Sequence, residues 1–234
     1  MTQPRSHPVP APAGIDGRWV GDRLTLTAAA LASEVLAELP DRLAHSRLAG
    51  RQARRLAGTV PPEDRDLLVA AALLHDIGYA PPLRNTDFHP LDGARHLAAT
   101  AAPPRLAALV AHHSEARLLA EPRGLLAELK EFEREASPVS DALTYADMTA
   151  GPSGESMAVE DRLRDIEVRH RHEDAELLAA RRARVPRLLA AADRVRHRLA
   201  AAGGAAERAG EDAERQPTAS ASPGGSEYRA QRRA

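Results

Sequence analysis

Cysteine is absent from the 234-residue chain, which excludes disulfides, thiolate metal sites and cysteine nucleophiles. Any metal would therefore be held by nitrogen and oxygen alone. Aromatic residues are nearly as scarce, at 3%. A core drawn from 43% hydrophobic residues must then consist of Leu, Ala and Val, which favours packed helices over a β-sandwich, so an all-α protein is expected. Charge of one sign is not in excess either: 32 basic residues face 33 acidic ones, for a net charge of -1. That balance offers no argument for nucleic acid or an anionic membrane as partner. Lysine occurs once, at Lys130, and the other basic residues are arginines; this reads as compositional bias, so richness in Arg is no phosphate signal by itself. There is no apolar run of about 18 residues. In place of an apolar leader the N-terminus carries Pro4, Pro8, Pro10 and Pro12. Neither a membrane span nor export is expected, and the cytoplasm is the default location.

The chain reads as one domain with polar ends. Residues 1–20 are Pro-, Gly- and polar-rich without a period, a disordered leader in which His7 is solvated. Residues 21–200 suffice for one full core, and 201–234, without an apolar stripe, read as a disordered tail. Helical spacing at Leu31, Val35, Leu36 and Leu39 stops at Pro40. Asp41 is placed to cap a second helix that ends at Gly58. In that helix Leu48, Ala49, Gln52 and Leu56 follow His45 at helical offsets, which puts the imidazole on the buried face. The segments over 156–200, with a break or kink expected near Pro186, buttress the core or mediate self-association, and a homo-oligomer is left open. His170, His172 and His197 lie among Arg and Glu and read as surface residues, while His96 either shares the face of His89 or points outward.

One short run organises the rest. From Leu67 to Leu74 every residue is Leu, Val or Ala, and a helix that is apolar all round belongs in the middle of a core. It delivers His75-Asp76 to a dry rim, where the two either bond each other or share a cation. Gly78 is expected to be left-handed, just past the helix end. The loop from Tyr79 to Phe88 is long enough to lie over a site, and His89 opens the next helix. His112-His113 closes another. Adjacent imidazoles on a helix point about 100° apart, so both face inward only by flanking the line to the core. Asp147, after Leu143-Thr144-Tyr145-Ala146, is costly to bury without a cation or a cluster of donors.

The order and spacing of His45, His75-Asp76, His89, His112-His113 and Asp147 resembles the HD-domain superfamily of metal-dependent phosphohydrolases, HDIG type, over about residues 41–150. The most specific stretch is Leu73-Leu74-His75-Asp76-Ile77-Gly78. The resemblance implies a helical bundle in which His45, His75, Asp76 and Asp147 hold one divalent metal. His89, His112 and His113 would add ligands for a second ion, with Asp76, the catalytic carboxylate, bridging. Seven nitrogen and oxygen ligands exceed what one ion needs, so two ions are expected, of Fe, Mn, Co, Ni or Zn. The implied substrate is a small phosphomonoester or phosphodiester, a nucleotide or dinucleoside polyphosphate, attacked by a metal-activated water. Tyr79 stands where many relatives have Lys, which leaves Arg84 and Arg117 as candidate substrate-binding cations and Asp87 and Glu115 as candidate general acids. Ser114-Glu115-Ala116 follows the His pair where the cyclic di-GMP phosphodiesterases carry Gly-Tyr-Pro, so that substrate is not expected. Two other functions stay open, a mixed-valence di-iron oxygenase and a non-catalytic module that senses a nucleotide through the metal pocket.

Overall fold

Helix α3 (Arg65–Leu74) is the element on which the others pack. Each of its residues from Leu67 to Leu74 is buried, so it must be covered on every side. The cover comes from α1 (Arg23–Val35), α2 (Pro40–Arg55), α5 (Pro104–His112) and α8 (Pro138–Met148). Small side chains make this possible: Ala28, Ala49, Ala70, Ala71, Ala72, Ala111 and Ala146 are all but fully buried, and helices faced with alanine approach closely. Helix α4 (His89–Ala99) lies on α5 and on the 3-10 turn Ile77–Tyr79. Short helices α6 (Ala116–Ala120) and α7 (Leu126–Leu129) lead to α8, and α9 (Val159–Arg169) and α10 (Ala175–Arg215) close the far side. Helix α10 seats Leu188, Ala192 and Val195 in the interior and runs along α8.

The computed structural model describes Trp19 and residues 23–215, with the side chains of 203–215 left aside. Among these residues the protein is all-α, with no β-strand and a single isolated bridge between Ala150 and Ser156. No helix there is long and apolar enough to cross a membrane.

Several local expectations are corrected by packing. Trp19, assigned to the leader, is buried, and its indole N–H donates to the Thr100 carbonyl at 3.2 Å. Pro40 does not merely end one helix but occupies the first turn of α2, where its missing N–H costs nothing; Asp41 makes no capping bond. Helix α10 continues through Pro186 and past Gly203-Gly204 to Arg215. The expected tail is thus helical in its first part, and residues 216–234 lie outside the described residues, as do residues 1–18 of the leader.

Candidate metal centre

Five helices bring the site together. Helix α3 stops at Leu74, leaving His75 and Asp76 buried at its end. His45 arrives from the buried face of α2 and Asp147 from the last turn of α8. His89 opens α4, and His113 follows α5.

The glycine after the doublet has a different role from the one its position suggests. Gly78 is not left-handed. It is a contact point: a Cβ there would lie 2.1 Å from the His89 carbonyl oxygen and 2.7 Å from the Gly93 nitrogen. Helix α4 thus sits on the turn after α3, and His89 is held against Asp76. The loop between them is tied down by Asp92 of α4, whose buried carboxylate accepts from the backbone N–H groups of Asn85 and Thr86 and from the Thr86 hydroxyl.

Three imidazoles are fixed from behind. His45 Nδ1 lies 3.0 Å from the Gly151 carbonyl, His75 Nδ1 2.8 Å from that of Ala72, and His113 Nδ1 2.7 Å from that of Val110. A carbonyl only accepts, so each Nδ1 carries a proton, which leaves Nε2, turned inward, as the atom a metal would take. These Nε2 atoms converge. His45 and His75 are 3.1 Å apart at Nε2, His45 Nε2 is 3.3 Å from Asp147 Oδ1, and His75 Nε2 is 3.6 Å from both Asp147 Oδ1 and Asp76 Oδ1. On the other side His89 and His113 are 3.2 Å apart at Nε2, and His89 Nε2 is 3.3 Å from Asp76 Oδ1. Donor atoms on one ion, at bonds of about 2.1 Å and right or tetrahedral angles, stand roughly 3.0 to 3.4 Å apart. The two clusters, His45-His75-Asp76 and Asp76-His89-His113, share Asp76; the second keeps to that spacing at 3.2 and 3.3 Å, and the first is slightly wider, with both imidazoles 3.6 Å from the Asp76 carboxylate.

Electrostatics separates the two halves. Burial works against a charge on His75, but the Asp76 and Asp147 carboxylates outweigh it and hold the imidazolium up to about 9. Burial likewise disfavours the two carboxylates, yet the surrounding imidazoles, with Arg42 beside Asp76, keep both well below the usual range. His113 goes the other way, pushed down to about 4 by burial and by His75, and burial also holds His89 well below its ordinary value.

Arg42 is a site residue that sequence reasoning missed. It donates to Asp76 Oδ2 at 2.8 Å and lies over the Tyr79 ring, 4.4 Å from its centroid. Tyr79 in turn stacks on His89, centroid to centroid 4.0 Å. Ser114 was missed as well: its hydroxyl donates to Asp147 Oδ2.

Of the seven expected ligands the structure brings six together and leaves out His112. Helix α5 ends at His112, and the chain then leaves the helical path, with His113 at ψ 147 and Ser114 and Glu115 both left-handed at φ 48 and 57. Two non-glycine residues in that region are strained, and the turn they make aims His113 and Ser114 inward. His112 points instead into a separate cavity, with Nε2 2.8 Å from the Phe132 carbonyl.

The expected substrate cations are corrected too. Arg84 is exposed and donates to the Tyr79 carbonyl, while Arg117 does not reach the cleft over the metal-type cluster. That cleft is lined by other arginines, Arg42, Arg123, Arg162, Arg169, Arg181 and Arg184. Asp87 lies on its wall, whereas Glu115 faces the His112 cavity and pairs with Arg134 at 2.9 Å. His170, read as a surface residue, also lines the cleft, held by Glu173. No sequence signal marked these arginines, because charged helices of this chain carry arginine on every side.

The fold and the site define an all-helical protein with a buried histidine and aspartate centre of the metal-binding kind. The chain belongs to the HD domain family, whose model matches residues 42–198, more than half of its length. That is a family of metal-dependent phosphohydrolases. No curated protein and no solved structure matches the chain.

Proposed function

We infer that the protein hydrolyses a small phosphate ester, a nucleotide or a dinucleoside polyphosphate, at a pair of divalent transition-metal ions of the Fe, Mn, Co, Ni or Zn group. One observation carries the reading. The Nε2 atoms of His45 and His75, each ring locked by its Nδ1 bond, face each other at 3.1 Å with two carboxylates around them. Acceptors so arranged repel unless a proton or a cation lies between them. His45, His75, Asp76 and Asp147 would hold one ion and His89, His113 and Asp76 the other, with Asp76 common to both. Bound cations supply a water acidified to near neutral pH and a positive field for phosphoryl oxygens. The protein's own groups do the rest. Ser114 orients the Asp147 carboxylate, Arg42 orients that of Asp76, and the arginine-lined cleft attracts and positions the anion.

The test is phosphate release from a panel of nucleotides and dinucleoside polyphosphates by protein of known metal content. Turnover that rises with metal occupancy supports the reading. Full occupancy without phosphate release, or metal-dependent consumption of O₂ instead, overturns it.

Two further outcomes are expected. His89→Ala should keep its fold and lose one metal equivalent per chain, whereas His112→Ala should keep both; equal loss in the two variants would remove the assignment of ligands.

The second concerns pH. A metal displaces the proton from an imidazole it binds. His75, held up to about 9, is protonated at neutral pH in the metal-free chain, so binding at its half of the centre expels a proton. Affinity there should rise about tenfold per pH unit from pH 6.5 to 8, as expected for release of one proton. His89 and His113 are already neutral over that range, so affinity at their half should stay nearly flat. Titrations with proton release measured by buffer-dependent calorimetry check the difference.

A further inference from the structure

Most of the guanidinium groups around the cleft have a carboxylate of their own. Arg42 is on Asp76, Arg162 is on Asp165 at 2.8 Å, and Arg181 is paired with Glu173. Arg184 is different. It is only 9% exposed and it lines the cleft, yet it has no carboxylate within ion-pair distance among the described residues. Its one hydrogen bond is a long one, from Nη1 to the Ser114 carbonyl at 3.4 Å. A buried cation left this way is costly. Arg123, on the same cleft, is the second cation without a carboxylate: it donates to the Leu119 carbonyl and lies 5.4 Å from the centroid of the Phe88 ring. The two also feel the positive charge of Arg181, which disfavours their own. Like charges gathered in a buried cleft need an anion, and planar guanidinium forks fit phosphoryl oxygens.

The position of Arg184 says where that anion would lie. Ser114 links it to the cluster: the carbonyl of this residue receives Arg184, and its hydroxyl donates to Asp147. A group held by Arg184 is therefore adjacent to one held at the His/Asp cluster. The cleft is small, about 260 Å³, below the roughly 300 to 1,000 Å³ of sites that enclose a whole drug-sized ligand. A space of that size has room for linked phosphoryl groups.

We propose that Arg184, assisted by Arg123, forms an oxyanion subsite for a second phosphoryl group, so that the substrate is a compound with a phosphoanhydride-linked diphosphate, such as a nucleoside diphosphate or triphosphate, and not a simple monoester. This rests on the phosphohydrolase reading for the identity of the neighbouring group. The subsite itself is tested without turnover, by calorimetric titration of full-length Mn(II)-loaded protein with inorganic pyrophosphate and with orthophosphate, metal content being checked afterwards. Wild type should bind pyrophosphate about tenfold or more tightly than orthophosphate, as a charge-assisted bidentate contact implies. Arg184→Gln should lose that preference while keeping its orthophosphate affinity and its metal. If Arg184→Gln fails to fold, Arg184→Lys and the half-buried Arg123→Gln serve instead, each expected to reduce the preference by about threefold, because charge without the fork, or one fork fewer, remains. Equal binding of the two anions by wild type, or a preference unchanged in these variants, overturns the subsite. A preference that behaves as expected in a protein that hydrolyses nothing leaves the subsite standing and sinks only the hydrolase.

Discussion

Asp76→Asn is expected to abolish phosphate release, by about 10³-fold or more, and to take both metal equivalents with it. The size follows from where the carboxylate sits. Among the described residues Asp76 is the only one common to the His45-His75 and the His89-His113 clusters. It is held ionised by the imidazoles around it and by Arg42. An amide of the same shape still accepts from Arg42, so the packing survives, but it brings no negative charge to either half of the centre. Asp76→Ala would mix this loss with a second one, since it also takes away the oxygen that accepts from Arg42, and a buried donor left without a partner costs about 1 to 3 kcal/mol. The asparagine variant is therefore the cleaner experiment. Metal analysis and turnover on the same preparation decide it: retention of more than one equivalent, or of activity within tenfold of wild type, would exclude Asp76 as the shared ligand.

Gly78→Ala should be the most damaging substitution outside the ligands. The added methyl meets backbone, the His89 carbonyl at 2.1 Å and the Gly93 nitrogen at 2.7 Å, and backbone cannot rotate aside as a side chain would. Helix α4 must move off the turn, carrying His89 away from Asp76. Overpacking that displaces backbone costs about 3 kcal/mol, a fall in Tm of about 6 to 12 °C for a domain of this size. The metal at His89 and His113 should be lost first. Gly93→Ala provides the comparison, since its Cβ would meet Gly78 nitrogen at 3.2 Å and the Ile77 and Val110 side chains at 3.3 and 3.4 Å, contacts that small shifts relieve. Its expected cost is about 1 kcal/mol. Equal melting temperatures for the two variants would show that the close approach of α4 does not hold the site.

The amino-acid sequence by itself determined the all-α class, through the near absence of aromatics and the wealth of Leu and Ala. It also determined the doublet and most of its company. His75-Asp76 follows a helix apolar on all faces, and His45 lies on a hydrophobic stripe. Both are local facts, because helical periodicity ties each side chain's direction to neighbours three and four residues away.

Tertiary structure decided what local periodicity cannot carry. Which of His112 and His113 turns inward depends on where α5 stops, and it stops because Ser114 and Glu115 are left-handed, with the Ser114 hydroxyl on Asp147, thirty-three residues on. Gly78 announces a helix end by its position but is needed for an approach that exists only once α4 has docked. The cleft over the His/Asp cluster is lined by Arg42 of α2, Arg162 of α9 and Arg184 of α10, not by Arg84 or Arg117, because these helices must pack before any arginine on them has a cleft to face. A long flexible cation carries almost no positional information in sequence; its destination is set by the helices that leave it one place to go.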